Sequence, residues 1–218
     1  SRLRDVGYAT HHVGKWHLGQ HHASSLPVGR GFDHSLGYLG GGEDHYTNEN
    51  GGCGNCGKKI DLWRDHAPAR GEADGKYSAY RYAAEARSII DAHAGRERAS
   101  GGRTPLFLYL ALQCAHSPNS PDSYGALYAG HRYTPDFADY NGMVSALDDA
   151  VGNVTDALRA AGMWSSALVL FASDNGGPTA ESVSGSSANN YPLRGGKHTA
   201  WEGGVRGLAW LSGGALPP

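Results

Sequence analysis

Three short blocks hold most of the reactive side chains of this sequence: Gly14-Lys15-Trp16-His17-Leu18-Gly19, Ser173-Asp174-Asn175-Gly176-Gly177, and Leu193-Arg194-Gly195-Gly196-Lys197-His198-Thr199-Ala200-Trp201-Glu202-Gly203-Gly204. Together they offer cations, a pair of hard oxygen donors and glycines that let backbone approach a ligand closely. That is the equipment for holding a small oxyanion beside a metal ion. What they lack is a nucleophile.

Each piece has a functional and a plainer reading. Lys15 and His17 lie two apart, so an extended backbone turns both to one face and Trp16 to the other. One face then presents a fixed cation and a titratable donor to the same anion, unless Trp16 simply packs and the polar pair is solvated. Asp174 and Asn175 supply a carboxylate and an amide carbonyl suited to Ca²⁺ or Mg²⁺, although two donors do not complete a shell and Asp-Asn-Gly-Gly is also good turn chemistry. Lys197, set among Gly195, Gly196, Gly203 and Gly204, either reaches into a pocket that the glycines keep open or decorates a surface turn. His116 follows an apolar run and suits proton transfer if it lies on a ligand rim; otherwise it bonds to backbone. The crowd His11, His12, His17, His21 and His22 has no carboxylate or cysteine partner at a ligand spacing, which argues against zinc.

The elements that must position these residues follow from periodicity. Val6–Val13 reads as a strand running into the first block, and Pro27–Asn55 as a long Gly-rich binding loop or disordered loop. Tyr77–Ala94 reads as a helix that ends in a polar break at Gly95–Arg103. Pro105–Leu112 is an unbroken apolar run, as expected of a strand buried on both faces. A helix is predicted over Pro135–Ala161, with Tyr140, Met143, Val144, Leu147, Val151, Val154 and Leu158 on one face and Gly162 as its cap. A second buried strand, Ala167–Ala172, completes a predicted right-handed βαβ unit, and Val205–Leu211 offers one more strand. In open α/β sheets ligands bind beyond the carboxyl ends of the strands. A parallel arrangement therefore puts His116 and Asp174-Asn175 on one rim.

Composition sets the outer bounds. At 218 residues the chain is long enough for a substantial core. Its 19 basic and 21 acidic residues give no broad field for nucleic acid or an anionic membrane, so any charge-driven function is local. No apolar stretch is long enough to span a bilayer, and Ser1-Arg2-Leu3-Arg4-Asp5 is not a signal peptide. A chain that starts without methionine and enters a patterned segment at once reads as an internal fragment or an incomplete gene model. Cys53 and Cys56 form a C-x-x-C that is open to a loop-closing disulfide, free thiols, or metal or redox use, while Cys114 reads as a buried structural thiol. Asn153-Val154-Thr155 is a glycosylation sequon, consistent with a secretory route.

At GYATHHVGKWHLG (Gly7–Gly19), GRGFDHSLGYLGGGEDHYT (Gly29–Thr47), PLFLYLALQCAHSP (Pro105–Pro118), YNGMVSALDDAVGNVTDAL (Tyr140–Leu158), SDNGG and PLRGGKHTAWEGGVRG (Pro192–Gly207), the sequence resembles the sulfatase family of the alkaline phosphatase superfamily. The resemblance is closer to the branch of arylsulfatases B, I and J. It implies an alkaline-phosphatase-like α/β sandwich with a largely parallel central sheet flanked by helices, of which residues 1–218 are an internal part of one catalytic domain, incomplete at both ends. It also implies a sulfuric ester hydrolase that depends on Ca²⁺ and on a formylglycine made, by a formylglycine-generating enzyme, from cysteine or serine in a C/S-x-P-x-R motif. By resemblance Lys15 contacts the sulfate, His17 holds the formylglycine hydrate, and His116 contacts the sulfate or helps the leaving oxygen. Asp174 and Asn175 bind Ca²⁺, and Lys197 bridges the sulfate and its ester oxygen.

The implied substrate is a sulfate ester, in particular of a sulfated sugar, and the implied compartment is lysosomal or extracellular. No C/S-x-P-x-R occurs in these residues, nor does the family's paired N-terminal aspartates, so the nucleophile is expected outside this chain and the fragment is expected to be inactive alone. Two other readings stay open: a phosphatase or phosphonate hydrolase of the same superfamily, and a non-catalytic glycan- or metal-binding remnant.

Overall fold

The computed structural model describes residues 2–50, 57–130, 135–179 and 188–217, so Cys53 and Cys56 lie outside the described residues. The first residues form a helical turn, α1 (Arg2–Asp5), before the chain reverses at Gly7 and enters β1 (Ala9–Lys15). This strand starts and ends later than expected, which brings Lys15 into its last position. β1 pairs in parallel with β2 (His34–Tyr38) on one side and β5 (Leu106–Ala111) on the other. The short β3 (Trp63–Arg64) and β4 (Ala67–Pro68) extend the sheet antiparallel from β2, giving the order β4-β3-β2-β1-β5.

β2 corrects the reading of Pro27–Asn55 as one loop. Ser35 and Gly37 hide the apolar pattern of His34-Ser35-Leu36-Gly37-Tyr38, and the segment becomes a strand through ladder pairing on both sides rather than through propensity.

Helix α2 (Ser78–Ser100) covers one face of the sheet. Its buried residues Ala79, Tyr82, Ala86, Ile89, Ile90 and His93 recur at helical spacing, and Tyr82 and Ile89 join Val13, Leu36, Tyr38 and Leu62 in the main core. The polar break expected at Gly95 comes later. Arg96, Glu97 and Arg98 are good helix formers, and the helix ends only where Gly101 turns left-handed.

α4 (Pro135–Ala160) packs on α2, and its C-terminal turn closes as expected at Gly162: Gly162 N–H donates to Arg159 O and Met163 N–H to Leu158 O. Its buried stripe matches the expected one in part: Met143 is fully buried and Val154 packs against the cluster that α4 shares with α2. Ala146 and Ala150 pack with Ala79 and Ala83 of α2, whereas Val144 is 42% exposed. Small side chains let the two helix backbones approach closely, so the alanines join the seam alongside the larger residues. Between β5 and α4 lies one helical turn, α3 (Gly125–Tyr128), packed on α4.

The βαβ expectation fails at its last strand. β6 (Val169–Ala172) does not join the main sheet; it pairs antiparallel with β7 (Ala209–Ser212), which follows the helical turn α5 (Glu202–Val205) where the start of a strand was expected. Nor are the two apolar runs covered on both faces. Phe107 and Tyr109 are 36% and 46% exposed, and Leu168 and Leu170 are 61% and 66% exposed. Among the described residues β5 is the edge strand of its sheet, and β6 has β7 as its only paired neighbour. The class is α/β, with a sheet that is parallel at its centre and helices against it.

Candidate active site

The sequence-predicted residues leave the ends of three strands. Lys15 closes β1 opposite Tyr38 and is half-buried. The ladder carries on just past it, with Trp16 N–H donating to Tyr38 O and His17 N–H to Leu39 O. Trp16 does pack: it is buried with Leu26 and Leu39, and its indole N–H donates to Ser25 O (2.8 Å). His17 then adopts φ 49°, so the alternation expected to put Lys15 and His17 on one strand face stops at Trp16. His17 is exposed and comes to the rim by this turn instead.

His116 follows β5. Its backbone N–H donates to Gln113 O, and its Nδ1 lies 2.8 Å from Ser117 O. A carbonyl can only accept, so the partner assigns the proton to Nδ1 and leaves Nε2 as the lone-pair nitrogen of the neutral ring. Burial holds the His116 pKa below the usual histidine value; Lys15 and Lys197 push it further down and Asp174 opposes them. Burial likewise lowers Lys15, with Asp174 opposing and Lys197 reinforcing. Lys15 and His116 therefore lie within electrostatic reach of each other and of both Asp174 and Lys197, although the four are scattered over most of the sequence. His17 is tied to the same place through the Gly40-Gly41-Gly42 turn. A Cβ on Gly41 would meet the His17 ring at 2.9 Å, and one on Gly42 would meet the His116 ring at 3.4 Å.

Asp174 and Lys197 come from two loops that lock together. Lys197 N–H donates to Gly177 O (3.0 Å) and Gly176 N–H to Gly204 O (3.0 Å). The glycines expected to hold a pocket open do something else: Gly196 packs on Gly177 O, Gly176 on Gly203 O and Gly204 on Gly196 O, so side chains there would drive the loops apart. Asn190 staples the pair. Its Oδ1 accepts from Gly177 N–H (2.9 Å), and its Nδ2 donates to Gly177 O (2.7 Å) and Gly195 O (3.1 Å).

The donors at Asp174 and Asn175 fit a hard cation in kind. Asn175 spends its amide N–H on Gly176 O (2.9 Å), which leaves its oxygen in the acceptor role beside the exposed Asp174 carboxylate. In number they fall short, because Ca²⁺ takes about six to eight oxygens, and among the described residues no group of three or more His, Cys, Asp or Glu side chains is arranged to hold a metal. The histidine crowd does not converge either. His12 packs among Trp16, Phe32 and Tyr109, His11 meets His34, and His21 meets His22. Cys114 is a half-buried thiol, 3.5 Å from Tyr77 Oη, which burial pushes up to about 11 and so keeps unreactive. A cleft of about 510 Å³ opens away from the rim, beside Ala9 at the start of β1, where His93 is already bonded to Thr104 O.

Sequence reasoning missed Asn190, Gly41 and the buried set Glu43, His45 and Gln113. The available signals were the Asn189-Asn190 pair ahead of a Gly-rich block and a glycine triplet directly before Glu43-Asp44.

A mixed sheet with helices against it is the alkaline-phosphatase-like fold that the solved neighbours share. The structure of Ps i-CgsB superimposes with TM-score 0.80 at 28% identity, covering 96% of this chain and 45% of that one; a second structure of it holds k-i-k-neocarrahexaose. The PsFucS1 sulfatase from Pseudoalteromonas sp. gives TM-score 0.66 at 27% identity, covering 97% and 45%. The Sulfatase family model matches residues 1–214, and the chain belongs to the sulfatase family. Arylsulfatase J of Mus musculus is 38% identical over 96% of this chain, and N-acetylgalactosamine-6-sulfatase of Mus musculus is 29% identical over 97%. The chain spans 33% and 39% of the length of these two relatives. Among the described residues no helix is long and apolar enough to cross a membrane.

Proposed function

We propose that this chain is the internal part of a single sulfatase catalytic domain, and that the complete protein is a sulfuric ester hydrolase acting on sulfated sugars. The observation that carries this reading is the electrostatic reach of Lys15 and His116 to each other and to both Asp174 and Lys197. Two ammonium groups at a half-buried rim attract a sulfate monoester and stabilise the charge that builds on its oxygens as the ester bond breaks. Lys197 bridges the sulfate and ester oxygens, and Lys15 holds a second sulfate oxygen. His116 contacts the sulfate through Nε2 or helps the leaving oxygen there: a ring that has taken a proton from water at Nε2 gives that proton to the oxygen as the ester bond breaks. His17 faces the attacking side.

Asp174 and Asn175 would be two of the ligands for Ca²⁺, and the ion would add positive charge at the sulfate; a formylglycine from outside this chain, made by a formylglycine-generating enzyme, would supply the attacking oxygen. The sequon at Asn153, on an exposed position of α4, supports a secretory route to a lysosomal or extracellular location. The relatives named for an acetylgalactosamine sulfatase activity and for a bound carrahexaose support a sulfated glycan as substrate.

The test is hydrolysis of paired aryl sulfate and aryl phosphate esters by the complete protein, with Lys197→Ala alongside. The expected result is a sulfate preference and a loss of about a hundredfold or more in kcat/KM for the variant. A phosphate preference would transfer the site to the phosphatase reading, and tight sulfated-sugar binding without turnover to the remnant reading.

A further inference from the structure

The segment Gly41–His45 lies against both rim histidines. Gly41 lies under the His17 ring and Gly42 under the His116 ring, close enough that a Cβ would meet them at 2.9 Å and 3.4 Å. Three residues on, His45 is fully buried and reaches the His116 backbone: its Nε2 is 3.1 Å from His116 O. Its other nitrogen, Nδ1, is 2.9 Å from Ser78 Oγ at the start of α2, and its ring stacks on Tyr77 at 5.0 Å. His45 Nε2 faces two groups, the His116 carbonyl at 3.1 Å and the Gln113 amide nitrogen at 3.2 Å; the carbonyl can only accept, so the bond to it places the proton on Nε2 and leaves Nδ1 to accept from the serine hydroxyl, while the Gln113 amide donates to Glu43 O instead. Burial lowers the His45 pKa, which keeps that neutral form in place.

The rest of the segment is anchored as firmly. Gln113 grips the Glu43 backbone from both sides, its Oε1 accepting from Glu43 N–H (2.9 Å) and its Nε2 donating to Glu43 O (2.5 Å). The Glu43 carboxylate accepts from Tyr82 Oη (2.5 Å) and Asn48 Nδ2 (3.0 Å). Asp61 takes the N–H of Gly40 at 2.9 Å.

We propose that His45 is a positioning residue for His116: through the carbonyl bond it fixes the peptide on which the rim imidazole is mounted, and through the Gly41-Gly42 turn the same segment sets the separation of His116 from His17. This rests on the reading of His116 as a group at the sulfate. A bond to the backbone, rather than to the ring, leaves Nε2 of His116 open for its partner while removing the peptide's freedom to tilt. A displacement of about 1 Å at such a group can cost on the order of a hundredfold in rate.

The experiment compares His45→Phe, His45→Gln, Ser78→Ala and His116→Ala in the complete protein, reading kcat and KM on an aryl sulfate and the His116 ring signals by NMR. His45→Phe keeps the stack on Tyr77 and removes the donor; kcat is expected to fall on the order of tenfold to a hundredfold with KM nearly unchanged, and the His116 signals to shift. His45→Gln returns a donor and is expected to recover much of that loss. Ser78→Ala, which frees the His45 tautomer, is expected to lower kcat severalfold with KM unchanged.

A folded His45→Phe protein with wild-type kcat and unmoved His116 signals overturns the proposal. If that variant does not fold, wild-type kcat and signals in Ser78→Ala overturn it. Loss of activity in His116→Ala without loss in His45→Phe removes the positioning role alone. No loss in His116→Ala removes the reading of His116, and the NMR signals then decide the positioning by themselves.

Discussion

The rim is built by two regions of opposite construction. On the β2-β1-β5 side Lys15, His17 and His116 stand on a sheet backed by α2, with Val13, Tyr38, Leu62, Tyr82 and Ile90 all fully buried. On the β6-β7 side Asp174 and Lys197 stand on loops held by backbone bonds, interlocked glycines and one asparagine, above strands whose Leu170 and Leu211 are 66% and 56% exposed. The first region is held by apolar burial and the second by hydrogen-bond geometry. Positions in the first should therefore be sensitive in stability, and positions in the second sensitive in activity.

The largest effect expected from this contrast is on stability. Ile90→Ala in the complete protein is expected to cost about 2–5 kcal/mol in denaturant unfolding, clearly more than Asn190→Ala in the second region, which opens no core. Equal costs would erase the distinction. A smaller, pH-dependent effect comes from Glu43, which burial lifts from 4.5 to about 7 despite its hydrogen bonds from Tyr82 and Asn48. An acid raised in the folded state contributes stability that is present below the unfolded pKa and is lost as pH rises through the folded one. The stability of wild type relative to Glu43→Gln is thus expected to fall by roughly 3 kcal/mol between pH 4 and pH 8. A flat difference would mean that Glu43 ionises normally.

The second region is tested through Asn190→Ala. It is expected to lower kcat/KM by about tenfold or more while moving the melting temperature little, because it unfastens two site loops without opening a core. A large melting shift at unchanged kcat/KM would make Asn190 a stability residue. The smallest effect reads the link between the regions. In Lys197→Met the His116 pKa, followed by NMR, is expected to rise, since one of the cations that depress it is gone. An unmoved pKa would separate the two sides of the rim.

These contrasts also explain which features were legible in the sequence. The long helix Pro135–Ala160 and its Gly162 cap were readable because local spacing and cap chemistry produce them. The strand His34–Tyr38 was not, because pairing on both edges makes it a strand despite its glycine. His116 and Asp174 were expected on one rim through parallel pairing of the strands before them; those strands lie in different sheets, and what links the two residues is an electrostatic coupling that spacing does not reveal. Glu43 and His45 looked like ordinary loop residues because burial and long-range partners, rather than spacing, give them their character.

The sequence by itself determined the kinds of groups available: two lysines, the histidines, hard oxygen donors and glycines at the ends of apolar segments. Residue type and local periodicity are properties of the chain alone, and so is the α/β order of elements. The tertiary structure decided which of those groups share a field and how they are held: Lys15 with Lys197, His17 with Gly41, His116 with His45, and the Asp174 loop with Asn190. The physical reason is that burial, charge coupling and backbone contact depend on distances between residues far apart along the chain, which only the folded arrangement fixes.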